Sequence, residues 1–315
     1  LRSLRPTCQR KSLCSTAFRY TIQNLYQYLL EDCLTNMNLP SLPIFTAEWV
    51  SVLGVNTRYF KVGKGPPLVL LHGLGDSATI WSYNIEPLSK KYTVYALDLP
   101  GHGHSDKPKW DYDLNKAVDF LSLFLTTLNL EKPHLIGNSL GGMIALETAF
   151  KQPNQLGKLV LVGSAGLGKE MPLFLKMMTI PLIGELLAIP TKAGLRFLLK
   201  QIVTRPRGIP NDLVEHLARE RNMHGNKQSM LKILRSGANI RGIHSHLIDL
   251  PRLEYLNVPT YIIWGREDKI FPHSHGQNAA MRLPRGRLTV FDNCGHWPQI
   301  ENHREFNQFI MEFLR

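Results

Sequence analysis

A serine held between two glycines marks the part of this sequence that most clearly predicts chemistry. The stretch GNSLG at positions 137–141 follows the apolar run HLI and precedes a helical pattern. Glycines at both ends fit a turn too sharp for side chains, and a strand–turn–helix of this kind lifts the central hydroxyl out of a sheet. Ser139 would then lie at a helix N-terminus, where backbone N–H groups stabilise developing negative charge. Ser139 is therefore predicted to be a nucleophile.

A base and an acid follow Ser139 in the order that such a nucleophile requires. A serine hydroxyl is a weak nucleophile and needs an imidazole held by a carboxylate. The segment WGREDKIFP places Asp268 after one apolar run, and DNCGHWPQ places His296 after the next. Both residues would lie at the same sheet edge as Ser139. The order Ser, acid, His is typical of this arrangement. Glu267 is the alternative acid, but the motif position favours Asp268.

Backbone N–H groups are predicted to complete the site. The segment LVLLHGLGDS contains a strand that ends at His72-Gly73, followed by a loop. The N–H of Leu74 in this loop would pair with the N–H of Leu140 to bind an oxyanion. Loss of one such donor typically costs ~3 kcal/mol of transition-state stabilisation.

The elements that must position these residues alternate between strands and helices. EWVSVLG and TRYFKVG read as a hairpin at a sheet edge, and short apolar runs typical of buried parallel strands follow at 66–73, 92–101, 133–139, 158–164, 259–268 and 286–296. Between about residues 165 and 255 the pattern is helical, without a convincing strand. This indicates an insert over the carboxyl edge of the sheet, where ligands bind. We predict an N-terminal extension (1–45), a core in two parts (46–164 and 257–315) and a helical cap (165–256).

Composition limits the classes of partner. The chain has 315 residues, 43% of them hydrophobic and 20% charged, which is ordinary for a soluble globular protein. The net charge is +12, but its lysines and arginines are scattered and no nucleic-acid motif occurs, so no nucleic-acid partner is expected. No apolar run of roughly 18 residues appears, so no membrane span is expected. The four cysteines and the two HSH segments lack the spacing of a metal site, and neither metal nor cofactor is predicted.

The first 36 residues bear on cellular location. Residues 1–30 contain five Lys or Arg and no acid, as in an organellar leader. Alternatively, translation begins at Met37, which leads directly into the domain. We favour the second interpretation and expect a cytoplasmic protein, with an organelle as the location if the leader is genuine.

Taken together, these motifs resemble the α/β-hydrolase superfamily from Glu48 to Arg315. HGLGDS, DLPGHGHSD, GNSLGG, WGREDKIFP and NCGHWPQIENHREFN occur in the order found in that family. The resemblance implies an α/β fold with a mostly parallel eight-stranded sheet, helices on both faces and an inserted helical cap. It also implies a structural role for DLPGHGHSD. Serine rather than aspartate at position 139 argues against the haloalkane dehalogenase and epoxide hydrolase branches.

Three segments, GNSLGG, WGREDKIFP and CGHWPQIENHREFN, also look like those of the meta-cleavage-product hydrolases, which cut a C–C bond. This resemblance implies that Asn138 and Trp297 line the substrate pocket, with Gly73 a further pocket candidate. Two features differ from that branch. HGLGDS replaces its HGGGPG-type loop, and Leu217 stands where its carboxylate-binding cap arginine belongs. Arg219 follows two residues later and would therefore point to another helix face.

The sequence predicts a serine hydrolase that cleaves a carboxylic ester with an apolar group through an acyl-enzyme. The alternatives are a C–C hydrolase of 2-hydroxy-6-oxo-dienoates and a small-molecule receptor of the same fold with little turnover. A further hypothesis, a lipase at the membrane surface, follows from basic residues beside apolar cap residues: Lys176, Lys192, Arg196 and Lys200. The expected partner is a small apolar ester, and a homodimer is a candidate assembly.

Overall fold

The computed structural model describes Leu39, residues 41–248 and residues 250–315. The fold is that of the unit Pro40–Arg315. The leader hypothesis and three of the four cysteines, Cys8, Cys14 and Cys33, lie outside the described residues.

Eight strands form one sheet in the order β1-β2-β4-β3-β5-β6-β9-β10. The strands of this sheet are β1 (Ala47–Val52), β2 (Val55–Val62), β3 (Pro67–Leu71), β4 (Thr93–Leu97), β5 (His134–Asn138), β6 (Leu159–Val162), β9 (Thr260–Gly265) and β10 (Gly286–Phe291). Strand β2 is antiparallel to both β1 and β4, and every other pair is parallel. The prediction of a mostly parallel eight-stranded sheet is confirmed.

The first two strands form the predicted hairpin. Leu53 and Gly54 connect them, and both have positive φ angles, 52° and 73°. Two such residues are required by the tight turn whose twist matches that of the flanking strands. The strands pair from Val52 with Val55 outward to Ala47 with Phe60.

The central strands are covered on both faces. Leu68 to Leu71 in β3 and Leu159 to Val162 in β6 are fully buried at every position, and successive side chains of a strand point to opposite faces. Two groups of helices pack beside the sheet, and the helices within each group contact one another. One group contains α1 (Ser82–Ser89), α10 (Pro298–Glu301) and α11 (His303–Phe313), the other α2 (Leu114–Thr127) and α3 (Leu140–Lys151), and α9 (Ser274–Ala280) contacts β9 and β10.

Residues 163–259, between β6 and β9, form a segment that we call the insert. Its described residues, 163–248 and 250–259, form five α-helices, namely α4 (Leu173–Met178), α5 (Ile183–Leu187), α6 (Lys192–Ile202), α7 (Asn211–Arg221) and α8 (Asn226–Gly237). The range predicted to be a helical cap lies within it. The insert also contains two strands that the sequence pattern did not show, β7 (Ala238–Asn239) and β8 (Gly242–Ile243). Each has only two residues, which is too short for an alternating pattern.

Candidate active site

Ser139 lies in a strained turn between β5 and α3. Its φ is 57° and its ψ is −117°, a conformation that non-glycine residues rarely adopt. A Cβ on Gly137 would lie 2.3 Å from the carbonyl oxygen of Gly141, and one on Gly141 would lie 2.4 Å from that of Leu71. Only glycine fits at these two positions, which is the physical reason for the GNSLG pattern. Leu140 is the first residue of α3, so its N–H has no partner within the helix.

His296 and Asp268 form a buried pair at the ends of the last two strands. His296 Nδ1 lies 2.7 Å from Asp268 Oδ2. The other carboxylate oxygen, Oδ1, accepts backbone N–H bonds from Ile270 at 2.8 Å and Phe271 at 3.0 Å. These bonds fix the carboxylate, and the carboxylate holds the imidazole in the tautomer with hydrogen on Nδ1. Nε2 is then free to accept a proton.

Glu267, the alternative acid, has a different contact. Its Oε2 accepts the backbone N–H of Cys294 at 2.9 Å. The structure thus brings Asp268, and not Glu267, to His296.

Gly163 is a close neighbour of this pair that the sequence reasoning missed. It follows β6 with a φ of 49°, and a Cβ on it would lie 3.0 Å from His296 Nδ1 and 3.3 Å from Asp268 Oδ2. The available signal was a glycine immediately after a buried strand at the same sheet edge. The insert also contacts this region, because the backbone N–H of His296 donates to the carbonyl of Ile202 at the end of α6.

A cavity of about 610 Å³ between the sheet edge and the insert contains Ser139 and His296. Leu74, the second predicted oxyanion donor, borders the same cavity. A Cβ on the preceding Gly73 would lie 3.1 Å from the Ser139 Cβ, so the loop passes close to the serine. Most of the insert side of the wall is apolar, including Phe174, Leu175, Met178, Leu187, Leu195, Leu198 and Met230.

The three predicted pocket residues, Gly73, Asn138 and Trp297, are not among the residues that border the cavity. Asn138 is fully buried, and its Nδ2 donates to the carbonyls of Val162 at 3.0 Å and His296 at 3.1 Å. Trp297 is also fully buried. Neither of these side chains, nor Gly73, borders the cavity. The two hydrogen bonds of Asn138 connect the His296 loop to the end of β6.

The arginine at the cavity is Arg221. Arg219 is exposed, and its Nε donates to the carbonyl of Glu215 at 3.4 Å. Arg221 lies four residues after Leu217, which is one helical turn, and therefore shares its face of α7. It borders the cavity, and its Nη2 donates to Asp76 Oδ1 at 2.7 Å. The spacing from Leu217 was the signal that would have identified it.

Two buried histidines support the loop that carries Leu74. His72 Nδ1 donates to the carbonyl of Gly73 at 2.8 Å, and its Nε2 accepts the N–H of Leu99 at 3.0 Å. The rings of His72 and His102 meet edge to face, 5.0 Å apart. Burial lowers the pKa of both histidines, that of His102 well below its usual value. Both rings are therefore neutral in the folded protein near pH 7.

The DLPGHGHSD loop is held by a buried charge network. Asp98 pairs with Arg58 Nε at 2.7 Å and accepts the N–H groups of Ala78 and His104. Arg58 also contacts Glu220 of α7 at 3.0 Å. These contacts join the core to the insert.

The HSH segments have protein contacts. His275 Nε2 lies 2.6 Å from Glu170 Oε2, and the rings of His244 and His246 lie 5.5 Å apart. Within residues 41–248 and 250–315, no three His, Cys, Asp or Glu side chains form a cluster suited to a metal ion. In the same ranges, no helix is long and apolar enough to cross a membrane.

The chain is similar in sequence and fold to known hydrolases. The family profile described as alpha/beta hydrolase fold matches residues 66–303. A 2-hydroxy-6-oxononadienedioate/2-hydroxy-6-oxononatrienedioate hydrolase from Comamonas testosteroni is 33% identical over 280 residues, which cover 85% of this chain and 96% of that protein.

Two solved structures are similar in both sequence and fold. The meta-cleavage product hydrolase CumD from Pseudomonas fluorescens IP01, complexed with acetates, gives a TM-score of 0.74 at 29% identity, with 84% of this chain and 96% of that chain covered. A membrane phospholipase A, described as a bacterial virulence factor, gives 0.73 at 26% identity, with 96% and 95% covered. The extent of the profile match and the hydrolase relatives show that the chain belongs to the α/β-hydrolase fold family and is a hydrolase of that fold.

Proposed function

We propose that this protein is a serine hydrolase that cleaves a carboxylic ester with an apolar acyl or alcohol group. The observation that carries the proposal is the composition of the cavity at Ser139. Its insert side is mostly apolar, and the arginine that borders it, Arg221, is already bound by a carboxylate, Asp76. Such a cavity favours a neutral, apolar substrate.

The residues can perform the two half-reactions of ester hydrolysis. Ser139 Oγ attacks the ester carbonyl while His296 Nε2 takes its proton, and the N–H groups of Leu74 and Leu140 bind the oxyanion. The proton on Nε2 then passes to the alkoxide as the alcohol leaves, which gives the acyl-enzyme. Water, deprotonated by His296, attacks the acyl group, and the proton returns to Ser139 as the acid is released. Asp268 stabilises the imidazolium in both halves.

A carboxylate-bearing substrate is disfavoured by the Arg221–Asp76 pair. The Asp76 side chain is only 5% exposed. A substrate carboxylate that took Arg221 would leave Asp76 buried without its partner. Breaking a buried pair in this way typically costs about 3–5 kcal/mol.

C–C bond hydrolysis is the second candidate function, and the names of the relatives support it. The Comamonas relative is named for a dienedioate substrate, and CumD is named a meta-cleavage product hydrolase. The same triad would serve this reaction, which requires a group that binds the dienoate carboxylate. Two lysines border the cavity, the exposed Lys192 and the half-buried Lys227, and one of them would have to supply this group.

A paired assay separates the two functions. The purified chain and its Ser139→Ala variant are given p-nitrophenyl esters of short and medium chain length and, separately, 2-hydroxy-6-oxo-6-phenylhexa-2,4-dienoate. We expect ester turnover that is lost in Ser139→Ala, with much slower loss of the dienoate. Faster cleavage of the dienoate would establish the C–C function instead. Absence of turnover with both substrates would contradict the hydrolytic proposals and favour the receptor hypothesis.

A further inference from the structure

The insert carries a cluster of large apolar side chains on its surface. Leu182 is 84% exposed, Leu173 72% and Leu186 68%, and Leu187, Ile189 and Phe197 are each about half exposed. We call these six residues the apolar patch. Single exposed leucines are ordinary on protein surfaces, but a cluster of this kind marks a binding surface.

Half of the apolar patch borders the Ser139 cavity. Three of its members, Leu187, Ile189 and Phe197, are exposed to solvent and also border the cavity. Phe197 of α6 and Phe174 of α4 meet edge to face, with ring centroids 5.5 Å apart, which joins the two helices at this place. These three residues join the exposed patch to the wall of the cavity that holds the nucleophile, and we take this side of the cavity as its entrance.

Cations accompany the apolar patch. Lys192, Arg196 and Lys200 are exposed and lie four residues apart on α6, within an arc of about 80°. Lys176 adds a fourth cation from α4. In the part of the chain that the structure describes, none of these four forms an ion pair with a carboxylate. We call them the basic stripe.

The acid in the same segment is already neutralised. Between Leu173 and Ile202, Glu185 is the one acidic residue. Arg235 of α8 holds its carboxylate with two bonds of 2.7 and 3.0 Å. The segment from Leu173 to Ile202 is thus largely apolar and carries a net positive charge.

Apolar side chains beside unpaired lysines and arginines match the interface of an anionic membrane. The apolar groups enter the boundary of the acyl chains, and the cations remain at the level of the headgroups. A second copy of this chain fits less well, because a symmetric interface on this surface would bring the basic stripes of the two copies together.

We propose that the apolar patch and the basic stripe dock this protein on an anionic lipid bilayer, with the cavity entrance facing the acyl chains. The proposal rests on the proposed ester hydrolysis and adds the source of the substrate, an ester with a long acyl chain that enters from the bilayer.

Vesicle co-sedimentation tests the docking separately from catalysis. The full chain carrying Ser139→Ala is mixed with phosphatidylcholine vesicles with and without phosphatidylglycerol, so that hydrolysis cannot alter the lipid. We expect binding that requires phosphatidylglycerol and weakens with salt. Leu173→Glu/Leu186→Glu should lower the partition coefficient at least tenfold. Arg196→Gln/Lys200→Gln should lower it by about fivefold for each cation removed.

Matched control variants show whether a loss of binding is specific to the apolar patch and the basic stripe. They introduce the same types of substitution at exposed positions elsewhere. Ile240 and Met281 are 60% and 79% exposed and lie outside the patch. Ile240→Glu/Met281→Glu should leave vesicle binding unchanged. Lys232, exposed on α8, provides the control for lost charge in Lys232→Gln. Equal losses in controls and patch variants, or no binding of the Ser139→Ala chain to anionic vesicles, would overturn the proposal.

Two further measurements keep the hypotheses apart. Turnover of a short, water-soluble p-nitrophenyl ester by Leu173→Glu/Leu186→Glu, with Ser139 intact, should equal that of the parent chain, because neither leucine borders the cavity. If the parent chain binds vesicles without cleaving any ester, the proposed function fails and the docking stands. If the leucine variant instead turns a dimer into a monomer in size-exclusion chromatography and vesicle binding is unaffected, a second copy covers the patch and the docking proposal is wrong.

Discussion

Arg221 of the insert donates to Asp76 of the loop after β3, and the two atoms, Nη2 and Oδ1, are 2.7 Å apart. Asp76 lies two residues after Leu74, and its own N–H closes a turn onto the carbonyl of Gly73. The pair therefore connects the insert to the loop of Leu74, whose N–H we propose as one of two oxyanion donors. It also places a carboxylate beside an arginine that borders the cavity, and our proposal of an ester substrate depends on this pairing.

Removal of Arg221 should destabilise the protein far more than removal of Arg219. Arg221→Met leaves the buried Asp76 carboxylate without its partner, so we expect the free energy of unfolding to fall by roughly 3 kcal/mol. Arg219→Met, at an exposed site on the same helix, should change it by less than about 0.5 kcal/mol. Urea unfolding measures both. The single variant Asp76→Asn and the double variant Asp76→Asn/Arg221→Met complete the comparison. The double variant should lose less free energy of unfolding than the two single variants lose in sum, because the pair is already broken in each. Losses that simply add would contradict the pairing.

Asp268 and Glu267 provide a matched test of the acid. Asp268→Asn removes the charge beside His296 Nδ1, and we expect kcat for a soluble ester to fall by a factor on the order of 10⁴. Glu267→Gln keeps an oxygen that can accept the Cys294 N–H, so kcat should stay within about tenfold of the parent value. Steady-state kinetics on both variants decide the assignment. A larger loss in Glu267→Gln than in Asp268→Asn would exchange the two roles.

The turn at Ser139 should not tolerate a methyl group. Gly141→Ala places a Cβ 2.4 Å from the carbonyl oxygen of Leu71, which forces the backbone to move. We expect a loss of several kcal/mol, about 3 or more, and loss of activity in any folded fraction. Gly237→Ala at the end of α8 meets only Leu247 Cδ1 at 3.8 Å and should be neutral or stabilising by up to about 1 kcal/mol. Thermal unfolding and ester turnover of both variants provide the comparison.

Stability should decline as the pH falls below about 6.5. Burial lowers the pKa of His72 and His102 in the folded protein, whereas both titrate near 6.5 when the chain unfolds. Between 6.5 and the lowered values, the unfolded chain binds protons that the folded chain does not, so acid favours unfolding. Each histidine contributes up to about 1.4 kcal/mol per pH unit in that window.

Urea unfolding at pH 7.5 and at pH 5.5 gives the change in the free energy of unfolding between the two pH values. This change is compared between the parent chain and His102→Gln. The variant should lose less stability between the two pH values than the parent chain does. An identical pH dependence in both proteins would show that His102 is not responsible.

Residues at the ends of strands were the part of the site that the sequence could predict. Ser139, Asp268 and His296 each follow a buried apolar run, and parallel strands bring such ends together at one edge. The buried apolar runs also predicted the strands of the eight-stranded sheet. Local pattern alone was sufficient in these cases because the burial of the strands dictates which residues lie at the edge.

Contacts between distant segments could not be predicted in the same way. Asn138 was expected in the pocket, but it bonds to the carbonyls of Val162 and His296, which only the folded sheet brings together. The pairing of Arg221 with Asp76 joins residues 145 positions apart in the chain. The apolar residues of the insert were ambiguous for a similar reason, since the helical pattern does not show which of them another helix covers.

Active-site labelling tests the central claim most directly. The full chain and Ser139→Ala are treated with a fluorophosphonate, digested, and mapped by mass spectrometry. The account predicts one covalent adduct on Ser139 that accompanies the loss of ester turnover, and no adduct at this site in Ser139→Ala. An unlabelled Ser139 in a folded chain, or inactivation that follows labelling of another residue, would contradict the assignment of Ser139 as the nucleophile.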